Sequence, residues 1–317
     1  MNKKKILLCL LVSFLSIVVI DFKTHKIIKN NFNLLKCQTL NYFKEKYYPY
    51  FSHLENLKEL NVLDPDLLQK GKEIVKEHKV IMSGISRDNA PEFFTMKRHL
   101  EYIGDQFKDY RIIIFENDSK DGTKDLLLKW EKENPKVKII IHDFHNQKRP
   151  NIKFLADARN YYIKEANKPE YDSFDILAVV DMDMKYGFDI RGIYHSFSFF
   201  KKWDAICANG IYKKAGNMWD AFAFRNKEFP WIPNETADYW SKKVKDIQKI
   251  YPVNSDLVEV DSAFGSLAFY KKDKVKNCFY DSINDDCEHV KFHECLKNNG
   301  GHMVMNPSMI VKYSHYR

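Results

Sequence analysis

Two acids separated by one residue, Asp181 and Asp183, close the apolar run Leu177-Ala178-Val179-Val180-Asp181-Met182-Asp183. A buried strand ending this way delivers both carboxylates to one side, and a bend at the strand end lets both approach one ion. Hard cations such as Mn²⁺ or Mg²⁺ prefer such oxygen ligands. A cation there could bridge two phosphates and neutralise a leaving nucleoside diphosphate. The structural alternative is that the two acids merely cap the next segment. A second cluster is Phe115-Glu116-Asn117-Asp118-Ser119-Lys120-Asp121-Gly122-Thr123. Its acids and amide can accept hydrogen bonds from a nucleotide's base or ribose. A well-capped turn explains Asp121 to Thr123 but not Glu116, because a carboxylate at the end of a buried strand needs a partner. A third is Leu155-Ala156-Asp157-Ala158-Arg159-Asn160, where Arg159 can pair with a phosphate or with a neighbouring acid.

The elements that must position these groups alternate. Apolar strands are expected at Lys79–Ile85, Arg111–Glu116, Val137–His142 and Asp175–Asp181. Helices are expected after Asp88 or Asn89 as cap with Pro91 in the first turn, over Asp121–Glu133, and over Phe154–Ala166. Phe93, Met96, Leu100, Ile103 and Phe107 step by three or four, which gives one buried stripe. Unalternating apolar strands separated by helices imply a mostly parallel sheet covered on both faces. Ligands of such sheets bind beyond the carboxyl ends of the strands, where all three clusters fall.

The order E-N-D-S-x-D-G-T, A-D-A-R-N, then an apolar strand ending in D-M-D resembles the nucleotide-binding half of GT-A glycosyltransferases. Two later segments, Trp219-Asp220-Ala221-Phe222-Ala223-Phe224-Arg225 and Val260-Asp261-Ser262-Ala263-Phe264-Gly265-Ser266, are similar to acceptor-side segments of the cryptococcal capsule-associated α-1,3-mannosyltransferase family. The resemblance spans roughly residues 79–315. It implies a Rossmann-like GT-A fold, a Mn²⁺ or Mg²⁺ cofactor, a nucleotide-sugar donor such as GDP-mannose, and a glycan or glycoconjugate acceptor. It makes Glu116, Asn117, Asp118, Arg159 and Asp181 donor-binding residues and Asp181 and Asp183 metal ligands. His315, after the final strand, matches the place of a third ligand, with His293 in reserve. Glu288, in Cys287-Glu288-His289, falls where an acid at a helix start activates the acceptor hydroxyl or positions sugar hydroxyls, although Cys287 replaces the first acid of the usual pair. An acid there also suits the helix dipole.

Read directly, Trp219 can stack on a sugar face while Asp220 accepts from its hydroxyls. Trp219 can equally be core. Gly265 and Ser266 leave room for a ligand near the backbone, or allow tight strand packing. A haloacid-dehalogenase phosphatase also uses D-x-D after an apolar strand, but Lys185 stands where that fold wants a hydroxyl. A non-catalytic sugar-binding protein is the other rival, and nothing in the sequence argues for loss of the acids.

The surroundings fit a membrane-anchored enzyme. Lys3, Lys4 and Lys5 precede an apolar run from Ile6 to Ile20. This run is shorter than the roughly 20 residues of an untilted span, but no alanine or glycine precedes Gly71 to make a signal-peptidase site. An uncleaved signal anchor follows, with the body across the membrane, in the Golgi or endoplasmic reticulum lumen of a eukaryote. Residues 1–20 are read as anchor, 21–77 as stem and 78–317 as catalytic body. The net charge of +8 is spread over scattered lysines, and no zinc-finger spacing or RNA-binding signature occurs, so nucleic acid is not a partner. Cys9 lies in the apolar run, leaving five cysteines and hence at least one unpaired thiol. Cys37 could bridge two chains into a homodimer or remain free. Asn117 and Asn234 head glycosylation tripeptides, and Asn117 is expected unmodified because a glycan would block the nucleotide site.

Overall fold

The computed structural model describes residues 57–145, 151–212, 216–229, 247–283 and 285–313. The expected anchor, most of the stem, Cys37, Asn234 and His315 lie outside these residues. Among the described residues no helix is long and apolar enough to cross a membrane.

Eight strands form one mixed sheet of order β3-β2-β1-β4-β7-β5-β8-β6. Strands β1 (Lys79–Ser86), β2 (Asp109–Glu116), β3 (Val137–Ile141) and β4 (Ile176–Val180) pair in parallel. β7 (Leu267–Lys271) runs antiparallel between β4 and β5 (Ala205–Tyr212). β8 (Met303–Tyr313) is parallel to β5, and β6 (Val258–Glu259) closes the edge antiparallel to β8. Period-two alternation sends Val80, Met82, Ile112, Ile114, Ala178 and Val180 into one apolar layer. Ile81, Ile113, Leu177 and Val179 enter the other. Every residue of β4 is buried, as expected of a central strand covered on both faces.

Six helices of eight or more residues cover the described sheet. α1 (Pro65–Val75) starts behind Asp64, whose side chain accepts from Asp66 N–H at 2.9 Å, with Pro65 in its first turn. α1 packs on α5 (Ile190–Ser198). Gly71 permits that approach, since a Cβ there would lie 1.7 Å from the Tyr194 carbonyl oxygen. Leu57, Leu60 and Leu63 are buried with Ile211 and Ile310. Residues 57–75, read from the sequence as the end of the stem, thus dock on the body. They had no core of their own because they borrow this one.

α2 (Phe93–Gly104) begins later than its expected cap. The N–H groups of Asn89 and Ala90 are taken by Thr123 Oγ1 (2.8 Å) and Asp121 Oδ2 (2.9 Å), which holds 88–90 as a loop. α3 (Thr123–Glu133) follows β2. α4 (Ile152–Ala166) starts two residues before its expected Phe154, because the Asn151 side chain caps Phe154 N–H at 3.1 Å. α6 (Glu288–Asn298) precedes β8. A disulfide joins Cys278, ahead of α6, to Cys295 in its last turns, while Cys207 and Cys287 are buried thiols.

Candidate active site

A cavity of about 510 Å³ opens beyond the carboxyl ends of β1, β2 and β4. Its walls include Ser86, Arg87, Asn117 and Asp118 from the first two strand ends, Arg159 from α4, and Asp181 and Asp183 from β4. Trp219 and Tyr313 form a further wall. β4 ends at Val180, and the turn that follows presents Asp181, Met182 and Asp183 together to the cavity, so the bend at the strand end rather than strand alternation places both acids there.

The Asp181 N–H is held by the Ser266 carbonyl at 3.0 Å. Gly265 and Ser266 both have left-handed backbones, φ 62° and 71°. Gly265 is required there, because a Cβ would lie 2.3 Å from the Ala208 carbonyl oxygen. The turn therefore serves packing and the positioning of Asp181 together. Burial, then the nearby charge of Asp183, pushes the Asp181 carboxyl up to about 7. A cation between the two carboxylates would relieve this repulsion, and oxygen ligands of this kind suit a hard ion. Among the described residues no group of three or more His, Cys, Asp or Glu is arranged to hold one. His293, the reserve ligand, is excluded: Nδ1 pairs with Ser262 Oγ and Nε2 with Tyr270 OH, each at 2.9 Å, and burial pushes its pKa down to about 3. It is a satisfied core histidine.

The loop after β2 is cross-tied. Asp88 N–H donates to Ser119 Oγ (3.0 Å) and Lys120 N–H to Asp88 Oδ1 (2.7 Å). Asp118 accepts from Phe144 and His145 N–H, so its carboxylate braces the loop after β3 while lining the cavity. Asn117 is buried and donates to Asp118 Oδ2 at 3.1 Å. Glu116 is fully buried. Its Oε1 accepts from Ser119 N–H at 3.1 Å, whereas Oε2 has no hydrogen-bond partner. Burial raises its pKa. Glu116 does not line the cavity, unlike Asn117 and Asp118 beside it, and a proton held on Oε2 would answer the open position.

Arg159 behaves differently from a free phosphate ligand. Its side chain is 5% exposed, Nε donates to Glu288 Oε1 at 2.8 Å, and Nη2 lies 3.6 Å from Asp181 Oδ1. Phe264 and Tyr280 cover the guanidinium at 5.2 and 5.6 Å. Glu288 is the first residue of α6 and is 4% exposed.

Trp219 stacks on Tyr313 with centroids 4.1 Å apart. Asp220 Oδ2 accepts from Gly265 N–H at 2.8 Å, and burial pushes its carboxyl up to about 6 against that bond. The segments around 220 and 262 pair with each other: Arg225 and Ser262 exchange backbone hydrogen bonds at 2.7 and 3.2 Å. Sequence reading missed Ser86, Arg87, Asp88 and Asn89, which line the cavity after β1. The rule that located the other clusters, residues just past a strand end, points to them as well. Phe144, Phe154 and Tyr313 were also missed, and no local signal separates them from core aromatics.

No family model matches the chain. No curated protein matches it in sequence either, so the resemblance to the cryptococcal family rests on the quoted motifs. Solved structures do match. The mannosyltransferase PcManGT from Pyrobaculum calidifontis, in complex with GDP-Man and Mn²⁺, is 12% identical with a TM-score of 0.45, over 90% of this chain and 67% of that one. S. aureus TarS 1–349 in complex with UDP is 11% identical with a TM-score of 0.46, over 74% and 60%. Its complex with UDP-GlcNAc gives 11% and 0.45, over 75% and 60%. This chain thus spans about 60% of that TarS fragment. Likeness at this level assigns neither donor nor metal to the chain.

Proposed function

We propose that this chain is a metal-assisted glycosyltransferase of the GT-A type, moving a sugar from a nucleotide donor to a glycan or glycoconjugate acceptor. One observation carries the reading: Asp181 and Asp183 open from the tip of a buried strand into the cavity that the loop after β2 also lines. In this reading Asp181 and Asp183 hold Mn²⁺ or Mg²⁺, with His315 as the third ligand. The ion supplies charge neutralisation to the departing nucleoside diphosphate. Glu116, Asn117 and Asp118 receive the nucleoside, Asn117 and Asp118 from the cavity wall and Glu116 from behind them. Trp219, Asp220, Gly265 and Ser266 border the sugar, and Glu288 is the carboxylate of the reacting centre. Mannose, from GDP-mannose, is the donor sugar that the motif resemblance implies. An anchor at 1–20 with a luminal body, as a type II protein of the Golgi or endoplasmic reticulum, agrees with the Cys278–Cys295 disulfide, since such bonds persist in oxidising compartments.

The test is thermal stabilisation of the soluble body by GDP and by UDP, each with and without Mn²⁺. One nucleotide is expected to stabilise, and only with metal. Asp183→Ala is expected to abolish the shift without lowering the unliganded midpoint. Metal-dependent binding that survives in this variant would count against the site.

A further inference from the structure

Four carboxylates act on one another or on Arg159 electrostatically: Asp181 and Asp183, which line the cavity, and Asp220 and Glu288, which lie outside its lining. A cluster of this kind repels itself unless cations are set among the acids. Arg159 is such a cation, and it is caged. Its guanidinium lies 5.2 Å from the Phe264 ring and 5.6 Å from the Tyr280 ring, Nη1 reaches Tyr162 OH at 3.5 Å, Nε is bonded to Glu288, and Nη2 lies 3.6 Å from Asp181. The Arg159–Glu288 contact links α4 to the first residue of α6 across 129 positions of sequence. The planar fork of arginine suits a bond that must fix direction as well as charge.

We propose that Arg159 is a positioning residue that ties the metal-binding tip of β4 to Glu288, setting the separation between cation and reacting carboxylate, and that it is not a ligand of the donor phosphates. This rests on the reading of Asp181 and Asp183 as the metal pair. The guanidinium is bonded through Nε to Glu288, sets Nη2 3.6 Å from Asp181 and lies beside two aromatic rings, so its charge and direction are fixed between the two acids.

The test is Arg159→Lys, which keeps the charge and loses the fork, beside Arg159→Gln/Glu288→Gln, which removes both charges of the bonded pair together. Two quantities are read for each. One is the affinity for the nucleoside diphosphate that stabilises the wild type, by calorimetry in saturating Mn²⁺. The other is hydrolysis of the matching nucleotide sugar, resolved into kcat and KM. Positioning predicts nucleotide affinity within about threefold of wild type in both variants and kcat lowered about tenfold or more, with KM little changed. A nucleotide affinity lowered tenfold or more in Arg159→Lys makes Arg159 a phosphate ligand and overturns the proposal. Unchanged kcat overturns it too. A wild-type chain that binds neither nucleotide in Mn²⁺ removes the transferase reading and this proposal with it, whereas loss of affinity in the variants alone removes only the proposal.

Discussion

Strands β3, β2, β1 and β4 and strands β7, β5, β8 and β6 feed the same cavity by different means. In the first set each parallel strand ends in a polar loop, and loops of neighbouring strands brace one another through pairs such as Asp88–Ser119 and Asp118–Phe144. Many of these bonds are solvent-exposed or part-buried. In the second set the site residues sit on loops fixed by buried long-range ties. Arg225, fully buried, bonds Asp286 at 2.6 Å and two backbone carbonyls. The Cys278–Cys295 disulfide and the Arg159–Glu288 pair complete the frame around α6. The side proposed to take the donor is thus a series of loop-to-loop braces, and the opposite side is a clamp.

If that contrast holds, the largest stability losses lie in the clamp. Asp286→Ala leaves the Arg225 guanidinium buried without its counter-charge, and removing one partner of a buried pair costs about 3–5 kcal/mol. Equilibrium urea denaturation of the soluble body should show this loss. A cost below about 1 kcal/mol would mean that the carbonyls of Phe222 and Phe224 suffice for Arg225, and the clamp would lose its centre. Next comes the disulfide. Its cysteines are 17 residues apart, and closing a loop of that size stabilises by about 3 kcal/mol. Cys278→Ser/Cys295→Ser should lose this much in denaturant. Hydrogen exchange should rise in α6 and the segment before it, and stay unchanged in β1–β3.

How much of this was legible in sequence divides along the same line. β1 to β4 and helices α2 to α4 follow from period-two and three-four spacing, which are local signals, and the D-M-D tip follows from one strand. The helix starts moved because loop–loop bonds, such as Thr123 Oγ1 to Asn89 N–H, compete with capping. The second set is not local. β7 runs antiparallel between strands that come before it in the chain, and β8 slips register against β5 next to Asn306-Pro307-Ser308. There Pro307 has no N–H to give the ladder. Arg159 carries no mark in sequence of a partner 129 residues away. His293 looked like a spare ligand because Ser262 and Tyr270, which satisfy it, lie 31 and 23 positions upstream.

A pH series sharpens the contrast further. The Asp220 carboxyl is raised from 3.8 to about 6, so the folded chain holds a proton there that the unfolded chain has released. Its contribution is therefore present below about pH 4 and lost as pH rises through about 6, by something on the order of 2 kcal/mol. Asp220→Asn keeps an oxygen for the Gly265 N–H and removes the titration. In metal-free buffer the stability difference between variant and wild type should grow in the variant's favour from pH 4 to pH 7. His293 works in the opposite sense. Its pKa is lowered to about 3, so its contribution is present above about 6.5 and lost as pH falls, which leaves the comparison with Asp220→Asn unaffected.

The smallest effect is expected on the donor side, and it tests whether local bracing matters to binding more than to stability. Thr123 is fully buried, its Oγ1 accepts from Asn89 N–H at 2.8 Å and donates to Asp121 Oδ1 at 2.6 Å. Thr123→Val keeps the volume and strands one N–H, at a cost of about 1–2 kcal/mol. That N–H belongs to the 86–89 loop, which lines the cavity beside Asn117 and Asp118. Freed from Thr123, the loop no longer holds a fixed distance to Asn117 and Asp118, where the nucleoside is proposed to sit. The variant should therefore melt slightly earlier than wild type and lose nucleotide affinity by about tenfold, a larger share of binding than of stability. Equal and small losses in both would show that the loop after β1 is held by Asp88 and Asp121 alone, and that the donor side is as over-determined as the clamp.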